Sequence, residues 1–306
     1  MEGHDRAGGR RLDAVAVELA LRRMATRPEP PWLHQESARR LAERLLPMRL
    51  EPARVLDWYA GPGGGHEALR QRYPQAQIVA VEPDAVWQAR AVRSSPRRWW
   101  PLGRAAKASS HVAAEPDAAL GRAGLVWANM VLHGIVDPPA LFARWHALLE
   151  VEGLVAFSCL GPGTLGELRE LYAGLGWPAP TPGFIDMHDL GDMLVAAGFA
   201  DPVLDQETLN LSWTSAEALL GELRLLGGNA APDRSPACAR RRGDAASLPR
   251  SKSAPAPTAG SRCASRSPTA TDSGPGRASR VATWRSLSTT CARWCGDRGG
   301  AAECVS

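Results

Sequence analysis

The chain has 306 residues, of which 44% are hydrophobic and 22% charged, enough apolar material for one large core or two small ones. The net charge of +4 averages two unlike parts: residues 235–306 carry 12 Lys+Arg against 4 Asp+Glu, leaving 24 against 28 for residues 1–234. The absence of any run of about 18 apolar residues argues against a helical membrane span. The basic N-terminus, its apolar stretch broken by Glu18, argues against a secretory signal, so a cytoplasmic location with reduced thiols is expected.

Residues 12–48 read as helical: "LDAVAVELALRRM" and "HQESARRLAERLLPM" place apolar residues at three- and four-residue spacing, with the prolines of "RPEPPW" between them. From Arg54 the period changes. "RVLDWYA" and "QIVAVEP" are short β-rich runs joined by the helical "HEALRQRY". "AGLVWANMVLH" and "GLVAFSCLG" are further buried strands around the helix "PPALFARWHALLE". "DMHDLGDMLVAAGF" is a helix, "DPVLDQETLNLSW" is strand-like, and "SAEALLGELRLLGG" is a last helix with a glycine stop. Strands alternating with helices predict an α/β fold, a mostly parallel sheet covered on both faces. The expected division is a helical segment over 1–50, a core over 51–232 and a basic low-complexity tail over 233–306.

"VLDWYAGPGGGHEALRQR" leaves a strand through glycines and opens a helix. Such a loop can turn free main-chain N–H groups and the positive end of a helix toward a ligand. Gly61, Gly63, Gly64 and Gly65 give it that freedom, although the dinucleotide pattern is met only loosely. Glu82 closes the second strand 25 positions after Asp57, where a carboxylate can accept both hydroxyls of a ribose. Read locally, Asp57 could equally brace the loop and Glu82 could be a solvated strand end.

These residues resemble the class I S-adenosylmethionine-dependent methyltransferases, whose first motif is similar to V-L-D-x-G-x-G-x-G. Asp57, Gly61 and Gly63 match it, and Tyr59 replaces the first glycine. The resemblance implies a Rossmann-like, seven-stranded sheet whose last strand is antiparallel, and a cofactor site of Asp57, Gly61, Gly63, Gly65, Glu82 and Asn129, the last in "LVWANMVLH". The later stretches "EGLVAFSCLGPGTLGELRELY" and "FIDMHDLGDMLVAAGFADPVLDQETLNLSW" resemble the biotin-synthesis branch, the malonyl-acyl-carrier-protein O-methyltransferases, over about Trp32 to Ala231. That branch implies S-adenosyl-L-methionine as cofactor and a malonyl-loaded acyl carrier protein as partner, with no nucleic acid, no membrane and a monomer.

The implied reaction methylates a carboxylate that is already ionised at pH 7, so no general base is required. Candidates for holding that carboxylate are His133, Arg169 and His188, each of which could instead be an ordinary local contact. The basic stretches "RRLAER" and "RSSPRRWW" could face an acidic carrier protein. Alternatives are a methyltransferase-fold binding protein whose loop, altered at Tyr59, no longer takes the cofactor, and a methyltransferase for another small carboxylate. No metal site is expected, since "CARWC" with Cys304 is a weak pattern.

The tail has no Phe, Tyr, Ile or Met and reads as disordered. It could also bind nucleic acid through its charge. A third reading is a frameshift between Pro232 and Arg240. Two nucleotides out of step, the codons for Thr258–Pro275 permit "DGRLALRFEVAYGHGFRP", which restores alternating apolar residues. On that reading the last strand of the sheet is missing from this chain, which leaves the preceding strand without a partner.

Overall fold

The computed structural model describes residues 11–94, 110–112, 120–234 and 287–293. Two helices come first. α1 (Ala14–Ala25) is capped by Asp13, whose carboxylate accepts the N–H groups of Val15 and Ala16. α2 (Trp32–Arg44) buries Leu33, Ser37, Ala38 and Leu41, the three- and four-residue spacing of one helix face.

The sheet then begins. β1 (Arg54–Trp58) leads through α3 (Ala60–Gly63) and α4 (His66–Arg72) to β2 (Gln77–Val81), and α5 (Ala85–Ser94) follows. After β3 (Ser110–Val112) come β4 (Ala123–Ala128), α6 (Pro138–Leu148), β5 (Leu149–Leu160), α7 (Gly166–Gly174) and α8 (Met187–Ala196). β6 (Ala200–Glu207), α9 (Ala216–Leu225) and β7 (Leu287–Arg293) complete the described elements. The strand order is β3-β2-β1-β4-β5-β7-β6. β1 to β5 pair in parallel, and β7 runs antiparallel to both its neighbours.

All six residues of β4 are buried because helices cover both faces. Alternate residues divide between two cores. Leu56, Trp58, Val126, Ala128, Val155 and Phe157 face a cluster with Phe142, Trp145 and Leu190 from α6 and α8. Val55, Leu125, Trp127, Leu154 and Ala156 face the other, with Leu41 of α2 and Leu69 of α4. A third cluster, including Leu33, Met130, Leu165, Trp213 and Leu219, lies beyond the carboxyl ends of β4 and β5.

The expected loss of the last strand is corrected. Leu287–Arg293, from the tail expected to be disordered, fills the slot between β5 and β6, pairing Phe157 with Thr290 on one side and Leu204 with Thr290 on the other. Two strands with open N–H and C=O groups form a seat that any extended segment can satisfy through its backbone. The β-branched pair Thr289–Thr290 suits that role. Residues 235–286 lie outside the described part of the chain. No helix among the described residues is long and apolar enough to cross a membrane.

Candidate functional site

The glycine turn joins β1 to α4. Tyr59 leaves β1 in the left-handed region, φ 55° and ψ 50°, where a glycine would be unstrained. Its N–H donates to Val81 O at 2.6 Å and its carbonyl accepts from Gly63 N–H at 2.7 Å, so hydrogen bonds on both sides fix the conformation. The half-buried ring packs against the central core. Burial raises the pKa of its phenol, opposed by the positive charge of Arg144.

The sequence suggested bare N–H groups in this turn, but the fold has engaged three of them. Gly61 N–H donates to Glu82 Oε2 at 3.1 Å, Gly63 N–H to Tyr59, and Gly64 N–H to Ala60 O at 3.0 Å. Small residues are required by close approach: a Cβ on Gly61 would meet Trp87 Cε3 at 2.4 Å, and one on Gly63 would meet Asn129 O at 2.8 Å. Gly65 precedes α4 and lies against buried Trp127. Beside these glycines lie two buried acids.

Asp57 and Glu82 are each 1% exposed, at the carboxyl ends of β1 and β2. His66, the first residue of α4, brings Nδ1 to 3.4 Å from Asp57 Oδ2. Burial pushes the Glu82 carboxyl up to about 7, with the Asp57 charge adding to the rise and the Gly61 N–H, His66 and Arg90 opposing it. A buried carboxyl at that value is costly alone, and hydroxyl donors or a cation beside it restore the charged form.

Asn129 follows β4 and is fully engaged. Its amide donates to Gly63 O at 2.6 Å and His34 O at 2.7 Å, and its Oδ1 accepts from Ser158 at 2.7 Å. Ser37 donates to Ser158 at 2.9 Å, closing a buried network between α2, β5 and the glycine turn. His34 belongs to it: Nδ1 lies 2.7 Å from Pro62 O, which makes Nδ1 the protonated nitrogen. Burial pushes this imidazole down to about 4, so it is neutral near pH 7, while the Pro62 carbonyl pulls the other way.

The three residues suggested for the substrate carboxylate are not gathered at one point. His133, in a short turn over Leu132–Gly134, stands edge-on to His34 with ring centres 6.4 Å apart. Arg169 donates to Pro162 O and so braces the exit from β5 instead of pairing along its helix. His188 is exposed on the first turn of α8 and bonded at 2.8 Å to the capping Asp186. The "RRLAER" stretch is neutralised: Arg39 pairs with Glu36 and Glu43, Arg40 with Glu36 and Glu207, and Arg44 with Asp205 and Glu207. Much of "RSSPRRWW" lies outside the described residues. His34, His66, Trp87 and Arg90 were not singled out from the sequence, because their partners are distant along the chain or belong to the backbone.

A parallel sheet with an inserted antiparallel strand, and buried acids ending β1 and β2 beside a glycine turn, define a class I S-adenosylmethionine-dependent methyltransferase. A family described as methyltransferase domain matches residues 32–202. The malonyl-[acyl-carrier protein] O-methyltransferase of Gallionella capsiferriformans is 38% identical over 201 residues, 64% of this chain and 68% of the relative. That of Laribacter hongkongensis is 38% identical over 215 residues, 68% and 71% of the two chains. The solved phosphoethanolamine N-methyltransferase 2 of Haemonchus contortus, in complex with S-adenosyl-L-methionine, is 18% identical, with a TM-score of 0.42, over 62% of this chain and 41% of that one. The chain belongs to the malonyl-[acyl-carrier protein] O-methyltransferase family.

Proposed function

We propose that this chain transfers a methyl group from S-adenosylmethionine to the free carboxylate of a malonyl thioester on an acyl carrier protein, a step in biotin synthesis. The observation that carries the substrate is the 38% identity to relatives of that name over two thirds of their length. The residues present fit the cofactor. Glu82, held near 7 by burial, suits a ribose diol, and Asp57 suits an ammonium group. The two buried acids favour a ligand that carries positive charge. Half-buried Tyr59 packs against the core, which supports a loop left open to the cofactor over one blocked by its ring.

When bound, S-adenosylmethionine supplies a methyl group on a positive sulfur. The chain's own contribution is alignment and exclusion of water. Asn129 fixes the glycine turn against α2 through Gly63 O and His34 O. The apolar cluster of Leu33, Met130, Leu165, Trp213 and Leu219 roofs the carboxyl ends of β4 and β5. The acceptor carboxylate is ionised at neutral pH, so no residue has to remove a proton. Of the three candidates for holding it, His133 is the one linked to the glycine turn, through His34. Arg169 holds the loop after β5. His188 has only the exposed place described above to recommend it.

Incubation with malonyl-carrier protein and labelled S-adenosylmethionine is expected to give a base-labile methyl ester on the carrier. Folded protein that binds the cofactor but methylates no malonyl thioester overturns the substrate assignment.

A further inference from the structure

α1 packs against both α3, the helical turn of the glycine loop, and α5. Its C-terminal end is held by one side chain of α5. Arg90 Nη1 donates to Met24 O at 3.2 Å and Ala25 O at 3.1 Å, and Nη2 donates to Pro28 O at 2.9 Å. The last carbonyls of a helix have no donors within it, and a planar guanidinium can satisfy several in one geometry. The same guanidinium lies 5.0 Å from the Trp87 ring centre, over its face. Trp87 is 2% exposed and lies so close to Gly61 that no side chain would fit between them. Gly61 in turn donates to Glu82. A continuous series of contacts therefore runs from the end of α1 through Arg90, Trp87 and Gly61 to the acid assigned to the cofactor ribose.

We propose that Arg90 is a positioning residue for cofactor binding, holding α1 against the glycine turn and seating Trp87 on Gly61. The proposal rests on the methyltransferase reading of this site. Arg90 touches neither reacting group, so its loss should weaken cofactor binding while leaving the saturated rate near normal. A purely structural role would instead lower thermal stability and rate together.

Calorimetric titration with S-adenosylhomocysteine tests this in full-length protein. Arg90→Met keeps much of the apolar stem and removes the donors. It is expected to raise Kd and the KM for S-adenosylmethionine by about tenfold, with kcat and the KM for the methyl acceptor changed less than twofold. Arg90→Lys, which keeps charge without the planar fork, should fall between. Arg93→Met removes the same charge from an exposed position on α5 and should leave Kd unchanged. Hydrogen exchange should show the last turn of α1 exchanging faster in Arg90→Met than in wild type without ligand. If wild type binds S-adenosylhomocysteine and folded Arg90→Met or Arg90→Lys binds it equally well, the positioning role is overturned. A wild type that binds none at millimolar concentration overturns the reading of the site itself.

Discussion

Glu82 and His34 carry opposite pH signatures within one site. Burial raises Glu82 to about 7 from 4.5, so the folded protein holds more protons between those values and stability falls as pH rises through that window. Glu82→Gln is expected to be more stable than wild type at pH 8, by up to about 3 kcal/mol, while binding S-adenosylhomocysteine at least tenfold more weakly. Thermal melts and calorimetry at pH 8 check both. A diol donating to the carboxylate favours its charged form, so cofactor binding near pH 7 should release a proton, seen as a dependence of binding heat on buffer. His34 is lowered to about 4 from 6.5, so its contribution is lost as pH falls through that range. His34→Gln, which can still donate to Pro62 O, should lose less thermal stability than wild type between pH 6.5 and 4.5. At Gly63, an added Cβ would strike the Asn129 carbonyl, so Gly63→Ala should cost about 1–3 kcal/mol in urea unfolding.

Among the elements, β7 has the largest consequence for the smallest sequence signal. Seven residues supply the ladder on which both β5 and β6 depend. Thr290→Pro removes a donor from the middle of that ladder and should cost about 1–3 kcal/mol for the acceptor left unpaired, read as a lowered melting temperature. An unchanged melt would show that β7 contributes little to stability. The clasp between α2 and β6 is different in kind. Arg40 and Arg44 reach Asp205 and Glu207 from partly exposed positions, where pairs contribute little. Arg44→Ala should cost under about 1 kcal/mol in the same assay. The clasp's use lies in covering the outer strand of the sheet.

For the molecule as a whole, the C-terminal region decides how securely the sheet is closed. The shifted frame predicts that "ALRFEVAYGHG" would occupy the slot with alternating apolar residues, whereas this chain fills it with "LSTTCAR". Side-chain burial adds to backbone pairing, so the frame-restored protein is expected to melt higher. Parallel melts of the two proteins check this, and equal midpoints would count against it. An intact coding frame across residues 232–240 would refute the frameshift.

The α/β order and the site at the ends of β1, β2 and β4 were legible because strand and helix periods, glycine spacing and acids at strand ends are local properties. Gly61 and Glu82 are joined by a hydrogen bond at the turn that glycine spacing and a strand-end acid pointed to, and Asn129, which the family resemblance implied, binds Gly63 O. Three other features belong to the tertiary structure. Tyr59 holds a left-handed conformation because Val81 O and Gly63 N–H bind it from both sides. The N–H groups of Gly61, Gly63 and Gly64 are occupied within the turn, and two carboxylates, Asp57 and Glu82, are buried beside it. His34 and Arg90 bind carbonyls 28 and as many as 66 positions away. The sequence by itself determined most of the strands and helices before the tail, since those depend on residues close together in the chain. Only the folded molecule decided what fills the seventh strand's seat and which groups hold the glycine turn, because those contacts join distant segments largely through a backbone that every residue shares.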